Sequence, residues 1–260
     1  MRVVITRPAG DAQAWVDALQ AAGHQALALP LIDVGPATHP QSVVQAWTQW
    51  SEFQALMFVS AQAVRYFFEG AARPIWEKGP RCWATGPGTH KALLQAGVPE
   101  ACIDSPAADA MQFDSEALWQ RVSSQVKADK PVLIVRGNDQ GVASEAASVG
   151  TGRDWLAQQL QASGASVQFV VAYERRTPVW STQQRTQAAE AAVDGSMWCF
   201  SSSQAIQHLV LALPGQSWAK ARCIATHERI AQTAKNLGFG EVHLSRPSVS
   251  DVLRSLESLA

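Results

Sequence analysis

The sequence predicts an α/β protein made of two similar parallel-sheet domains. Three observations lead there. Short β-branched or apolar runs alternate with helix-length amphipathic stretches along the 260 residues. The runs end in small, hydroxyl or arginine residues suited to starting a helix. The second half of the chain repeats the first in consistent order.

Arg2–Thr6 is a β-branched run followed by the turn Arg7-Pro8-Ala9-Gly10. Asp11 can cap a helix whose apolar face carries Ala14, Trp15, Ala18 and Leu19, with Gly23 as its stop. A strand at Leu31–Val34 then completes a strand–helix–strand unit, whose strands run parallel. Leu56–Val59 is a strand ending at Ser60, followed by a helix over Ala61–Phe68. Arg81–Thr85 is a strand, and Gly86-Pro87-Gly88-Thr89 opens a helix that closes at Gly97. Val132–Val135 ends in Arg136-Gly137, and Trp155–Ala162 is a helix ending near Gly164. Met197–Phe200 ends in Ser201-Ser202-Ser203, and Cys223–Thr226 precedes a helix that ends at Gly238.

The repeats are specific. Arg81-Cys82-Trp83-Ala84-Thr85 matches Arg222-Cys223-Ile224-Ala225-Thr226, and Gly97 falls on Gly238. Ser60-Ala61-Gln62-Ala63-Val64 matches Ser202-Ser203-Gln204-Ala205-Ile206. Trp15 to Gly23 parallels Trp155 to Gly164, and Ile5-Thr6-Arg7 parallels Ile134-Val135-Arg136. After Gly137 the second copy carries extra small and polar residues up to Arg153, read as a surface-loop insertion placed where a lid could act.

Hydrophobic residues make up 47% and charged residues 17%, enough to bury two cores. A net charge of −1 gives no field that would gather nucleic acid, so an anionic ligand needs a local receptor. No apolar run is long enough to span a membrane, and the opening residues lack the pattern of a signal peptide. Cys82, Cys102, Cys199 and Cys223 have no metal-ligand spacing and read as structural; scattered histidines predict no metal site. Ten tryptophans exceed what cores of this size need. Phosphate-loop and dinucleotide motifs are absent, as is a nucleophile elbow.

In open parallel sheets ligands bind beyond the carboxyl ends of the strands, where helix N-termini offer free N–H groups. Those ends carry Arg7, Ser60-Ala61-Gln62, Thr85-Gly86 with Thr89, Arg136-Gly137, Ser201-Ser202-Ser203 and Thr226. Hydroxyls there can simply cap helices, but repetition at six strand ends, twice with arginine, favours an anion-binding face. Tyr173 stands at the polar end of a strand-like run, either packing an edge or serving the site.

Together these residues resemble the uroporphyrinogen-III synthase family. The landmarks are Thr6-Arg7-Pro8, Leu29-Pro30-Leu31-Ile32, Phe58-Val59-Ser60, Gly86-Pro87-Gly88-Thr89, Arg136-Gly137, Tyr173-Glu174-Arg175-Arg176-Thr177-Pro178 and Phe200-Ser201-Ser202, spread over nearly the whole chain. It departs from the family pattern at Thr226-His227-Glu228-Arg229, which replaces a second GPxT-like turn, and in the longer loop after Gly137.

The resemblance implies flavodoxin/Rossmann-like domains joined by a two-stranded crossover ladder, formed by Leu29–Val34 and Val170–Arg176. Residues 1–35 with 173–260 would form one domain and 36–172 the other. Ser60 with Thr85, and Ser202 with Thr226, would then line opposed walls of a shared cleft. It implies cyclisation of hydroxymethylbilane with inversion of ring D and loss of water, without a cofactor. Tyr173 would assist departure of the hydroxyl, and Arg7, Arg136 and the hydroxyl-rich helix starts would hold the substrate's carboxylates. It further implies a cytoplasmic monomer, in transient contact with the enzyme that makes its substrate. The competing reading is a two-lobed small-anion binding or sensor module.

Overall fold

Val3, Val4 and Ile5 are enclosed on both faces, the environment of a β-branched run inside a parallel sheet. They belong to β1 (Arg2–Ile5), followed by α1 (Ala9–Ala21), β2 (Gln25–Ala28), β3 (Asp33–Pro36) and α2 (Gln41–Thr48). Next come β4 (Ala55–Phe58), α3 (Ala61–Phe68), β5 (Arg81–Ala84), α4 (Pro87–Gln95), β6 (Ile103–Asp104) and α5 (Ser115–Val122). Then follow β7 (Val132–Asp139), α6 (Trp155–Ala162), β8 (Val167–Arg176), α7 (Thr182–Ala191), β9 (Met197–Phe200) and α8 (Ser203–Ala212). The chain closes with β10 (Arg222–Ala225), α9 (Glu228–Leu237), β11 (Glu241–Leu244) and α10 (Val249–Ser258). The computed structural model describes residues 1–69, 76, 79–106, 114–139 and 154–259.

Two compact units result: unit 1, residues 1–34 with 176–260, and unit 2, residues 35–175. Unit 1 holds a five-stranded sheet in the order β2-β1-β9-β10-β11, every pair parallel. Along the chain that order is 2-1-3-4-5, the flavodoxin type, whose ligand crevice lies where the winding reverses, between β1 and β9. Unit 2 holds the order β3-β8-β7-β4-β5-β6. There β7 and β8 take the places that β1 and β2 hold in unit 1, and the reversal falls between β7 and β4. The duplication seen in the sequence is thus a duplication of sheet positions.

Alternation along the strands sorts the cores. In unit 1, Val3, Ile5, Met197 and Cys199 pack with α1 and α10, while Val4, Trp198 and Phe200 pack with α7, α8 and α9. In unit 2, Met57, Trp83 and Ile134 pack with α5 and α6. The repeated glycines are helix stops. Gly23, Gly97, Gly164 and Gly238 all have φ between 82° and 95°. Each donates to a carbonyl three residues back, and the following residue donates five back, the paired bonds of a Schellman motif.

Several local expectations shift. Asp11 does not cap α1, which starts after Pro8 without a side-chain cap; Asp11 lies in the first turn, where a carboxylate favours the helix dipole. The buried face is Ala12, Trp15, Val16 and Leu19. The strand expected at Leu31–Val34 lies at Asp33–Pro36, while Gln25–Ala28 supplies the partner of β1. Pro36 is tolerated because β3 is the edge strand. Arg136-Gly137 is not a strand end: β7 runs on to Asp139, since Gly137, Asn138 and Asp139 pair with Tyr173, Glu174 and Arg175. Of the expected insertion, Asn138 and Asp139 are therefore strand, and residues 140–153 lie outside the described ones. Aromatic clusters take up much of the tryptophan: Trp47, Trp50 and Trp76 with Phe67 and Phe68 in unit 2, and Trp198 and Trp218 with Phe200 and Phe239 in unit 1.

Candidate functional site

Beside the winding reversal of unit 2, the β7/β8 pair carries a β-bulge. Arg136 pairs with Val171 but Gly137 pairs with Tyr173, so Ala172 is an extra residue on β8. The bulge brings Tyr173 onto the same face as Gly137, and the ring lies against the glycine. A Cβ at position 137 would sit 2.3 Å from the Tyr173 Cζ. The ring also stacks on Tyr66, with centroids 6.1 Å apart. Tyr173 is only 4% exposed.

Its hydroxyl lies 3.2 Å from the Ser60 Oγ. Ser60 is also the N-cap of α3, accepting from the Ala63 N–H at 3.1 Å. Capping fixes the serine rotamer, and the fixed serine orients the phenol. Arg175 Nη1 stands 3.5 Å from the same hydroxyl, and its Nε donates to Asp139 Oδ1 at 2.7 Å. Burial opposes the Arg175 cation, but Asp139 and the Tyr173 oxygen more than offset it and raise its pKa above the ordinary value.

The other expected positions in unit 2 are more dispersed. Ala61 and Gln62 form the first turn of α3. Thr85 Oγ1 donates to the Val59 carbonyl at 3.3 Å, tying the ends of β5 and β4 together. Gly86 is the N-cap of α4, with Pro87 in the first helical turn, and Thr89 is buried in that turn. Arg136 is 2% exposed. Its guanidinium lies 4.0 Å over the Phe169 ring and donates to Asp154 Oδ1 at 2.9 Å. A ligand carboxylate reaching Arg136 must share it with Asp154.

Unit 1 builds a second face at its own reversal. Arg7, Ser201 and Thr226 line a hollow of about 10 Å³ with Trp15, Cys199 and Phe200, close to the least volume that holds one water. The Arg7 guanidinium lies 4.2 Å over the Trp15 ring. Burial pulls its pKa down, against the pull of Asp11 and Cys199, yet arginine stays charged in any protein setting. Among the described residues Arg7 makes no ion pair. Asp11 attracts it from beyond ion-pair distance. Thr6 Oγ1 donates to the Cys199 carbonyl at 2.7 Å and locks β1 to β9 beside it. Ser202 caps α8 by accepting from the Gln204 N–H, and Ser203 Oγ accepts from Thr233 Oγ1. His227, where the sequence departs from the family pattern, still caps α9: its Nδ1 accepts from the Arg229 N–H at 3.1 Å. Burial pushes the Cys199 and Cys223 thiols up to about 12, and the buried Cys82 thiol rises for the same reason.

Sequence reasoning missed Asp139, Arg175 and Tyr66 as neighbours of Tyr173. The available signal was spacing: Gly137 and Asp139 alternate on β7 as Tyr173 and Arg175 do on β8.

A family model described as uroporphyrinogen-III synthase HemD matches residues 13–254. The uroporphyrinogen-III synthase of Salmonella typhimurium is 26% identical over 271 residues, covering 99% of this chain and 100% of that protein. Among solved structures, uroporphyrinogen-III synthetase from Helicobacter pylori has a TM-score of 0.59 at 16% identity, over 100% of both chains. A mutant uroporphyrinogen III synthase from Thermus thermophilus has a TM-score of 0.55 at 13% identity, over 99% of this chain and 98% of that one. At these identities the two structures show the shared fold.

Proposed function

The chain belongs to the uroporphyrinogen-III synthase family, and we propose that it cyclises hydroxymethylbilane to uroporphyrinogen III with inversion of ring D and release of water. The observation that carries the reading is the seating of Tyr173. Its phenol is fixed by Gly137, Tyr66 and Ser60 at the winding reversal of a parallel sheet, where ligands of such folds bind.

The substrate supplies most of the electronic push, because loss of hydroxide from a pyrrole-bound CH₂ leaves a delocalised azafulvenium cation. What remains for the protein is to hold the chain ends together, direct attack to the substituted carbon of ring D and help the hydroxyl leave. Tyr173 donates the proton that turns the leaving hydroxide into water. In unit 1, Arg7 with Ser201 and Thr226 offers a charge and hydroxyls to a carboxylate. In unit 2, Ser60, Ala61, Gln62, Thr85 and Gly86 offer hydroxyl and amide groups suited to carboxylates. Arg136, Gly137 and Thr89 shape that face from within, and Ser202 and Ser203 hold the start of α8.

No helix among the described residues is long and apolar enough to cross a membrane. The proposal includes a monomer working in the cytoplasm and meeting, transiently, the enzyme that releases its labile substrate. The test is an assay on enzymatically generated hydroxymethylbilane with analysis of the product isomers. Formation of the III isomer is expected; only the spontaneous I isomer would reject catalysis and leave a binding module.

A further inference from the structure

Resting on that reading, we infer that Arg175 is a positioning residue of the site: held by Asp139, it stabilises the phenolate that Tyr173 becomes after giving up its proton. Strand register brings the groups together. Across β7 and β8, Gly137 stands opposite Tyr173 and Asp139 opposite Arg175. Side chains two residues apart on a strand share a face, so the phenol, the guanidinium and the carboxylate lie side by side. Asp139 takes the Nε at 2.7 Å, which aims Nη1 at the Tyr173 hydroxyl, 3.5 Å away. The guanidinium carbon is 5.9 Å from the ring centroid, near the outer limit of a cation–π contact, while Nη1 reaches the hydroxyl oxygen.

At 3.5 Å a guanidinium makes a poor hydrogen bond to a neutral phenol. Its Coulomb attraction to an anionic oxygen at that distance, in an enclosed site, is much larger. The contact is therefore weak before proton transfer and strong after it, which lowers the barrier without tightening the ground state. In the step itself, the C–O bond of the hydroxymethyl group breaks. The oxygen keeps the bonding pair, takes the Tyr173 proton and departs as water. Positive charge is left on the tetrapyrrole and negative charge on Tyr173, beside Arg175. The proton lost from the pyrrole carbon as the macrocycle closes restores the phenol, so no oxidant, reductant or further reactant is needed. Ser60 stands 3.2 Å from the same oxygen and can turn its hydroxyl toward it once it is charged.

A double-mutant cycle tests this with steady-state kinetics on hydroxymethylbilane. Arg175→Met is expected to lower kcat about tenfold while KM moves by less than about twofold. Arg175→Lys, keeping a point charge but losing the fork, should recover about a third of the loss on a logarithmic scale. In a Tyr173→Phe background, Arg175→Met should change kcat by less than about twofold, because there is no phenolate left to stabilise. The same loss in both backgrounds, or a loss confined to KM, would overturn the inference. Melting temperatures show which variants fold. If Arg175→Met does not, Asp139→Asn, which loosens the guanidinium but keeps it, should lower kcat about threefold with Tyr173 present and leave it unchanged in the Tyr173→Phe background. A wild-type chain that yields only the I isomer would instead sink the functional reading on which the inference stands.

Discussion

The Tyr173 ring occupies the space where Gly137 lacks a side chain, its Cζ 2.3 Å from where a Cβ would be. A glycine is required there for room and not for backbone freedom, since only a hydrogen fits between the strand and the ring. Gly137→Ala must displace the ring from this seat and disturb its contacts with Tyr66 and Ser60. Such overpacking costs about 1–3 kcal/mol, seen as a lower melting temperature. Turnover should fall by at least as much as on removing the phenol itself; unchanged turnover would mean that the seat of the ring does not matter.

Tyr173→Phe keeps the ring, and with it the packing against Gly137 and Tyr66, but removes the hydroxyl. Ser60 retains its bond from the Ala63 N–H, so α3 stays capped. Turnover is expected to drop by about 10²-fold or less, the low end of a general-acid contribution. Complete loss of activity in a folded variant would contradict a mechanism dominated by positioning.

Arg7→Gln should act on binding. The cation stacked on Trp15 makes no ion pair among the described residues and is attracted by Asp11 only from a distance. KM is expected to rise about tenfold with a smaller change in kcat, since a charge-assisted contact to a carboxylate serves ground and transition states alike. A fall confined to kcat would move Arg7 from anchoring to the chemical step.

Gly97→Ala and Gly238→Ala test the duplication energetically. Both glycines close helices in the left-handed region, at φ 88° and 95°, and a Cβ at either would meet nothing within 4 Å. The cost is then backbone strain alone, about 1–2 kcal/mol at each position. Denaturant unfolding should show similar losses for the two. A clear inequality would mean that one stop is supported by contacts that its counterpart lacks.

Much of the fold was legible because its signals are local. The helices at Ala61–Phe68 and Trp155–Ala162, and the strand at Met197–Phe200, match their expected bounds. Each pairs an apolar run with neighbouring cap or stop residues, such as Ser60 before α3 and Gly164 after α6. What misled is also local. Gly137 reads as a strand terminator in isolation, and nothing within a few residues of it announces the partner that carries β7 on to Asp139. In the same way β2 has a thin apolar pattern and is held as a strand by its parallel pairing with β1.

From the sequence alone came the duplication, the helix stops, the hydroxyl- and arginine-bearing strand ends and Tyr173 as the residue to watch. Those depend on interactions within a turn or two of the chain. Which of these residues meet was decided only in the tertiary structure. Ser60 reaches Tyr173 across 113 residues of sequence, Asp139 aims Arg175 at the same phenol, and Arg136 turns aside to Asp154 and Phe169. The cause is strand register: a single extra residue, Ala172, changes which side chains of β8 lie opposite β7. Register is set by pairing between distant segments, and no local pattern encodes it.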